Sequence, residues 1–104
     1  MDGGEVWWAD LPQPVGRRPI LILTRSSAVA KRNQVVVAQI TRTVHRVASE
    51  VALSHAEGLP RPCVVNCDVL LTVPKSRLVR RVTTLSAEKM DEVHQAIRFA
   101  LDLP

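Results

Sequence analysis

Tyrosine is absent from this chain, and the aromatic complement is three residues, Trp7, Trp8 and Phe99. Platforms for single-stranded nucleic acid stack successive bases on aromatic faces. Three aromatics, two of them adjacent, are too few to pave a sheet in that way. Glycine is scarce too, at four residues, and neither a Walker loop nor a Gly-x-Gly-x-x-Gly turn is present. Cysteine is limited to Cys63 and Cys67. They fall in a run that reads as a strand, where four residues span about 13 Å, too far for a disulfide. They are read as reduced, buried thiols. A zinc site would need partners at recognisable spacing, and His45, His55 and His94 are scattered. No metal ligand set and no cofactor are assigned. No apolar run approaches the ~18 residues of a membrane-crossing helix. The start, Met1-Asp2-Gly3-Gly4-Glu5, is acidic and lacks the regions of a secretory leader. A cytoplasmic protein without membrane attachment is expected.

What is present is apolar strand and positive charge. The 104 residues, 46% of them apolar, are read as one domain over 1–104. A chain of this size buries roughly two-thirds of its unfolded surface, enough for a self-standing core. The net charge of +4 is unevenly spread. Residues 1–85 hold twelve Lys/Arg against six Asp/Glu, or +6; from Ser86 onward two bases face four acids, or −2. A basic body suits an anionic partner, nucleic acid or an acidic protein segment.

Strand signals recur along the chain. Glu5–Leu11 reads as a first strand, bounded by Gly3-Gly4 and Pro12-Gln13-Pro14. A second is expected over 19–24, a third over 35–41 and a weaker one over 48–53. Longer patterns cover 63–73 and 78–85. A short helical turn is expected at 26–31, and loops at 12–18 and 54–62. Only the last segment reads as a full helix. Ser86 is a suitable N-cap, Glu88 favours the helix dipole, and Met90, Val93, Ile97 and Leu101 recur on one face. Short strands without βαβ crossovers, closed by one helix, predict a strongly bent small sheet or barrel.

Chemistry narrows to two positions. The carboxylates Asp10, Glu50 and Asp68 come from different strands and form no local cluster for a two-metal nuclease. No nucleophile elbow supports a Ser/His/Asp triad. Arg18 remains, in the run Arg17-Arg18-Pro19-Ile20-Leu21-Ile22-Leu23. Pro19 belongs at a strand start or edge and stiffens the backbone before it. The planar guanidinium matches two phosphate oxygens. Thr41 closes the third strand, Val36-Val37-Ala38-Gln39-Ile40-Thr41. A cation beside a hydroxyl suits work on a phosphodiester; a loop arginine that solvates a strand end is the alternative. Trp7 and Trp8 point to opposite faces, one to the core and one to an interface.

Four segments together resemble the MazF/PemK family of toxin endoribonucleases. Gly4-Glu5-Val6-Trp7-Trp8-Ala9-Asp10-Leu11 is similar to the family's "GDIWWVDL"-like strand. Arg18-Pro19-Ile20-Leu21-Ile22-Leu23 is similar to "RPVLVL", and Val36-Val37-Ala38-Gln39-Ile40-Thr41 to "VVVAPIT". Thr84-Leu85-Ser86 and the following helix are similar to the terminal "GRLS" plus helix. The resemblance implies a mainly β chain with an SH3-like small barrel of the MazF/CcdB/Kid type and a C-terminal helix. It also implies a homodimer that cleaves single-stranded RNA without a metal and is neutralised by a cognate acidic antitoxin. Its catalytic arginine and threonine fall on Arg18 and Thr41. Arg17, in the 12–17 loop, falls on a segment that borders the RNA groove, though the loop is shorter here. Lys31, Arg32, Arg42 and Arg46 are candidate phosphate contacts, each also readable as a solvated loop charge. Asp68 fits the family's acidic position in the long strand, whereas Val69 and Leu71 depart from its pattern. Asn66 and Asp68, at i and i+2, share a strand face, near the groove or in a buried polar network. A gyrase poison like CcdB is the alternative activity. Its contact is a helix end carrying Trp, and the run Ala100-Leu101-Asp102-Leu103-Pro104 has none.

Overall fold

The alternating apolar runs become six strands in the computed structural model, which describes residues 1–104. The elements are β1 (Glu5–Asp10), β2 (Arg17–Ile22), α1 (Ser26–Val29), β3 (Gln34–Thr41), β4 (Glu50–Leu53), β5 (Cys63–Pro74), β6 (Leu78–Thr84) and α2 (Ala87–Ala100). They form one sheet in the order β4-β5-β3-β2-β1-β6. Every neighbouring pair is antiparallel. Short connections dictate this arrangement, since parallel strands need long crossovers. Register shifts between β1 and β6, around Trp7 and Ala9, add twist and curl the sheet into a half-barrel.

β2 begins two residues earlier than the sequence suggests. Arg17, Arg18 and Pro19 pair with Asp10, Ala9 and Trp8 of β1. The ladder to β3 starts only at Ile20 opposite Gln39, so Pro19 lies outside it, where a missing N–H does no damage. β4 begins at Glu50, because Glu50 N–H donates back to the Val47 carbonyl at 3.0 Å and closes a turn first. The 54–62 loop contains a 3-10 turn at His55–Glu57, capped reciprocally by Ser54 and Glu57 and ended by Gly58 at φ 92°.

Two apolar clusters flank the sheet. One joins Val6, Leu21, Ala38, Ile40, Val51, Leu53, Val65 and Cys67 to Val93 and Ala96 of α2. The other gathers Ala9, Ile20, Ile22, Val29, Val35, Val37, Val73 and Leu78. Alternation along each strand feeds both. β5 changes phase midway: Gln39 pairs with Asn66, but Ala38 pairs with Leu70. Residues 67–69 bulge out between them, so Val65 and Val73 serve opposite clusters. Both cysteines are buried and free.

α2 starts as expected, with the Ser86 hydroxyl accepting from Lys89 N–H at 3.1 Å. Its buried face differs in one member. Val93 and Ala96 are buried and Met90 and Ile97 pack at the margin, but Leu101 is exposed. The helix ends at Ala100, so Leu101 no longer follows the helical stripe. No helix is long and apolar enough to cross a membrane.

Candidate active site

The site grows from the start of β2 and the end of β3, which antiparallel pairing brings to one rim of the sheet. The register that sets Ile20 opposite Gln39, carried two residues further, sets Arg18 across from Thr41. Both line one open cleft of about 750 Å³. Trp8 of β1, Val82 of β6 and the segment Leu59-Pro60-Arg61 complete its walls. Arg17, Arg18, Arg42 and Arg61 all line it, and no Asp, Glu or His does. Arg17 lies 3.8 Å from Asp10 Oδ2, with both side chains mostly exposed, a pair that holds weakly in water. The cleft is therefore strongly electropositive.

Arg18 is half-buried. Its Nη1 donates to Gln39 Oε1 and its Nη2 to the Val15 carbonyl, each at 3.4 Å. Its Nε is buried without a protein partner. The preceding turn supplies that carbonyl: Gly16, at φ 69°, takes a conformation that glycine adopts without strain. Thr41 Oγ1 accepts from Thr43 N–H at 3.2 Å, which leaves the hydroxyl proton free to donate. Cys63 also lines the cleft. Burial, then the charge of Glu57, pushes its thiol above the ordinary value of 9.0. Burial, then Asp68, pushes Cys67 up to about 11. Neither is a ready nucleophile at neutral pH. Nowhere do three His, Cys, Asp or Glu residues gather as a ligand set.

Of the candidate residues, the cleft brings together Arg17, Arg18, Thr41 and Arg42. Lys31 and Arg32 sit instead with Arg25 beside α1. Arg46 lies in the 42–47 connection with a left-handed backbone, φ 57°, outside the cleft lining. That connection is anchored by Glu50. Its carboxylate accepts from His45 N–H and Arg46 N–H, both at 2.9 Å, and lies 3.1 Å from His45 Nδ1. Burial raises the Glu50 pKa, but these contacts outweigh it and hold the group below its ordinary value. Asp68 is drawn into the β5 bulge. Its N–H donates to Asn66 Oδ1 at 3.0 Å and its carboxylate accepts from Ser49 Oγ at 2.5 Å. Asp68 is exposed and Asn66 half-buried, so these bonds form a surface polar network and not a buried one. Trp8 faces the cleft, while Trp7 packs on the second core cluster and its indole donates to Glu5 at 2.8 Å. Sequence reasoning missed Arg61 and Gln39. The only signal for Arg61 is its place between Pro60 and Pro62, in a loop read as a mere connection.

A half-barrel with one C-terminal helix, presenting a cation and a hydroxyl in a cleft free of carboxylates, defines a small domain suited to an anionic ligand. The chain belongs to the PemK-like, MazF-like toxins of type II toxin–antitoxin systems, a family description that matches residues 2–101. A curated relative named probable endoribonuclease MazF2, from Mycobacterium tuberculosis (strain CDC 1551 / Oshkosh), is 39% identical over 99 residues, covering 94% of this chain and 95% of that protein. The structure of M. tuberculosis toxin MazF-mt6 is 37% identical with a TM-score of 0.89, covering 96% of this chain and 98% of that one. A mycobacterial endoribonuclease in complex with its cognate antitoxin is 26% identical with a TM-score of 0.90, covering 100% and 97%. With relatives named endoribonucleases, the gyrase-poisoning alternative is not favoured.

Proposed function

We propose that this chain is a cytoplasmic endoribonuclease toxin that cleaves single-stranded RNA without a metal and is held inactive by an acidic antitoxin. The observation that carries the reading is the placement of Arg18 and Thr41 in one cleft lined by four arginines and no acid. The ribose 2′-oxygen attacks the adjacent phosphorus as its proton leaves. The P–O5′ bond breaks and the 5′-oxygen takes up a proton. The products are a 2′,3′-cyclic phosphate, or its hydrolysed form, and a 5′-hydroxyl. Negative charge grows on the nonbridging oxygens during attack, and Arg18 stabilises it. Thr41 donates its hydroxyl to the phosphate or orients the 2′-oxygen. Arg17, Arg42 and Arg61 bind flanking phosphates.

The active form is a homodimer. A second groove of about 900 Å³ supports this, with Leu23, Val36, Leu70 and Ile97 along its lining. Phe99 in the last turn of α2, and Leu101 and Leu103 just beyond it, are exposed. Apolar surface of this kind marks an association face. An acidic, partly disordered antitoxin chain complements the basic cleft.

The deciding experiment incubates the purified protein with a long single-stranded RNA in EDTA and maps cuts by primer extension. Discrete cuts with 5′-hydroxyl ends are expected, and a single 2′-deoxy substitution at a mapped site abolishes that cut. Cleavage of the deoxy-substituted strand would sink 2′-oxygen attack, and intact RNA across diverse sequences would sink the nuclease reading.

A further inference from the structure

No carboxylate holds the Arg18 guanidinium. Two long bonds to neutral oxygens, Gln39 Oε1 and the Val15 carbonyl, tether it at 3.4 Å each. Arginine carries five N–H donors, so most stay uncommitted, including the buried Nε. Gln39 sits on β3 two residues before Thr41, and alternation places both on one strand face. Ile20 and Ile22 share a core cluster with Val35 and Val37, so Arg18, Gln39 and Thr41 fall on the same side of the sheet.

We propose that Gln39 is a positioning residue that aims Arg18 into the cleft while leaving its charge intact. The proposal rests on the assignment of Arg18 to phosphodiester chemistry. The physical case turns on what the acceptor is. A carboxylate at this place would form a charge-assisted bond, roughly twice as strong as a neutral one. It would cancel the charge that the developing oxyanion needs. An apolar side chain would leave the long arginine stem free among rotamers and spoil its aim. The amide restricts the guanidinium, and its long bond yields readily when a phosphate arrives. Because β3 bears both Gln39 and Thr41, the strand fixes cation and hydroxyl relative to each other.

The test compares wild type with Gln39→Met, near in shape but lacking the amide oxygen, and Gln39→Glu, near in shape but charged. Steady-state cleavage of a short RNA bearing one mapped site gives kcat and KM, and 15N spectra of the Arg18 guanidinium report its rotation. In Gln39→Met, kcat is expected to fall about tenfold with KM within about threefold, because aim is lost and charge is kept. The Arg18 Nη signals, distinct in wild type, average together. In Gln39→Glu, KM is expected to rise at least about fivefold, more at low salt than at high, as the carboxylate competes with phosphate. Wild-type kcat and unchanged Arg18 rotation in Gln39→Met overturn the proposal. If Gln39→Met fails to fold, Gln39→Glu decides alone, and a wild-type KM overturns it. If wild type cuts no RNA, the nuclease reading falls, and the Arg18 spectra still decide whether Gln39 restrains the guanidinium.

Discussion

Replacing Arg18 by lysine keeps the charge of the cleft and removes its geometry. Lysine is a point charge on a flexible stem, without the planar fork that spans two phosphate oxygens. It also has no counterpart of the second Nη group, so the tether to either Gln39 or Val15 is lost. Binding of RNA depends mainly on total positive charge, and Arg17, Arg42 and Arg61 remain. Arg18→Lys is therefore expected to lower kcat by about 100-fold, the scale of one lost transition-state donor, while RNA affinity changes less than tenfold. Single-turnover cleavage beside filter binding separates the two quantities. Cleavage within twofold of wild type would mean that charge alone suffices.

At the scale of elements, strands and helix were legible because their periodicities are local. The Ser86 cap and the Val93 stripe of α2 can be read without knowing what they touch. The start of β2 was not legible, since Pro19 signals a strand start when only its own donor is considered. Arg17 and Arg18 join the strand through pairing with β1, a long-range fact. The bulge at 67–69 was hidden for the same reason. Cys67-Asp68-Val69 alternates correctly and betrays itself only in its register with β3. Arg18 and Thr41 were readable as types, but Arg61 reaches the cleft through a loop whose return path is tertiary. The capping box of Ser54 and Glu57 carries a sequence signature that makes this loop an ordered one. Gly58 ends the turn at φ 92°, and a Cβ there would lie 2.9 Å from Thr83 Oγ1. Gly58→Ala is expected to cost about 1–2 kcal/mol from positive-φ strain and crowding, measured by urea unfolding. An unchanged midpoint would mean that the turn relaxes freely and does not fix Leu59-Pro60-Arg61 at the cleft.

For the whole molecule, the basic cleft and the apolar groove make separate demands. Under the proposed function the cleft must stay open to an anionic chain, whereas the groove leaves Val36 exposed and Leu70 and Ile97 half-exposed to water. A second copy would satisfy the groove without competing for the cleft, because the two share no lining residue. The charge distribution favours self-association over a neutral partner. The groove carries Arg25 and Arg32 at its rim, and the segment from Ser86 onward is net acidic. A two-fold contact of one copy's rim with the other's helix would match opposite signs. Leu70→Glu places a charge in the apolar part of the groove while lying outside every cleft wall. The variant is expected to run as a monomer by light scattering at micromolar concentration, and wild type as a dimer. Its strand and helix signals by circular dichroism should persist, since Leu70 packs only at the margin of its core cluster. A Leu70→Glu dimer of wild-type stability would move the association surface elsewhere on the chain. A wild-type monomer at all concentrations would remove the homodimer altogether.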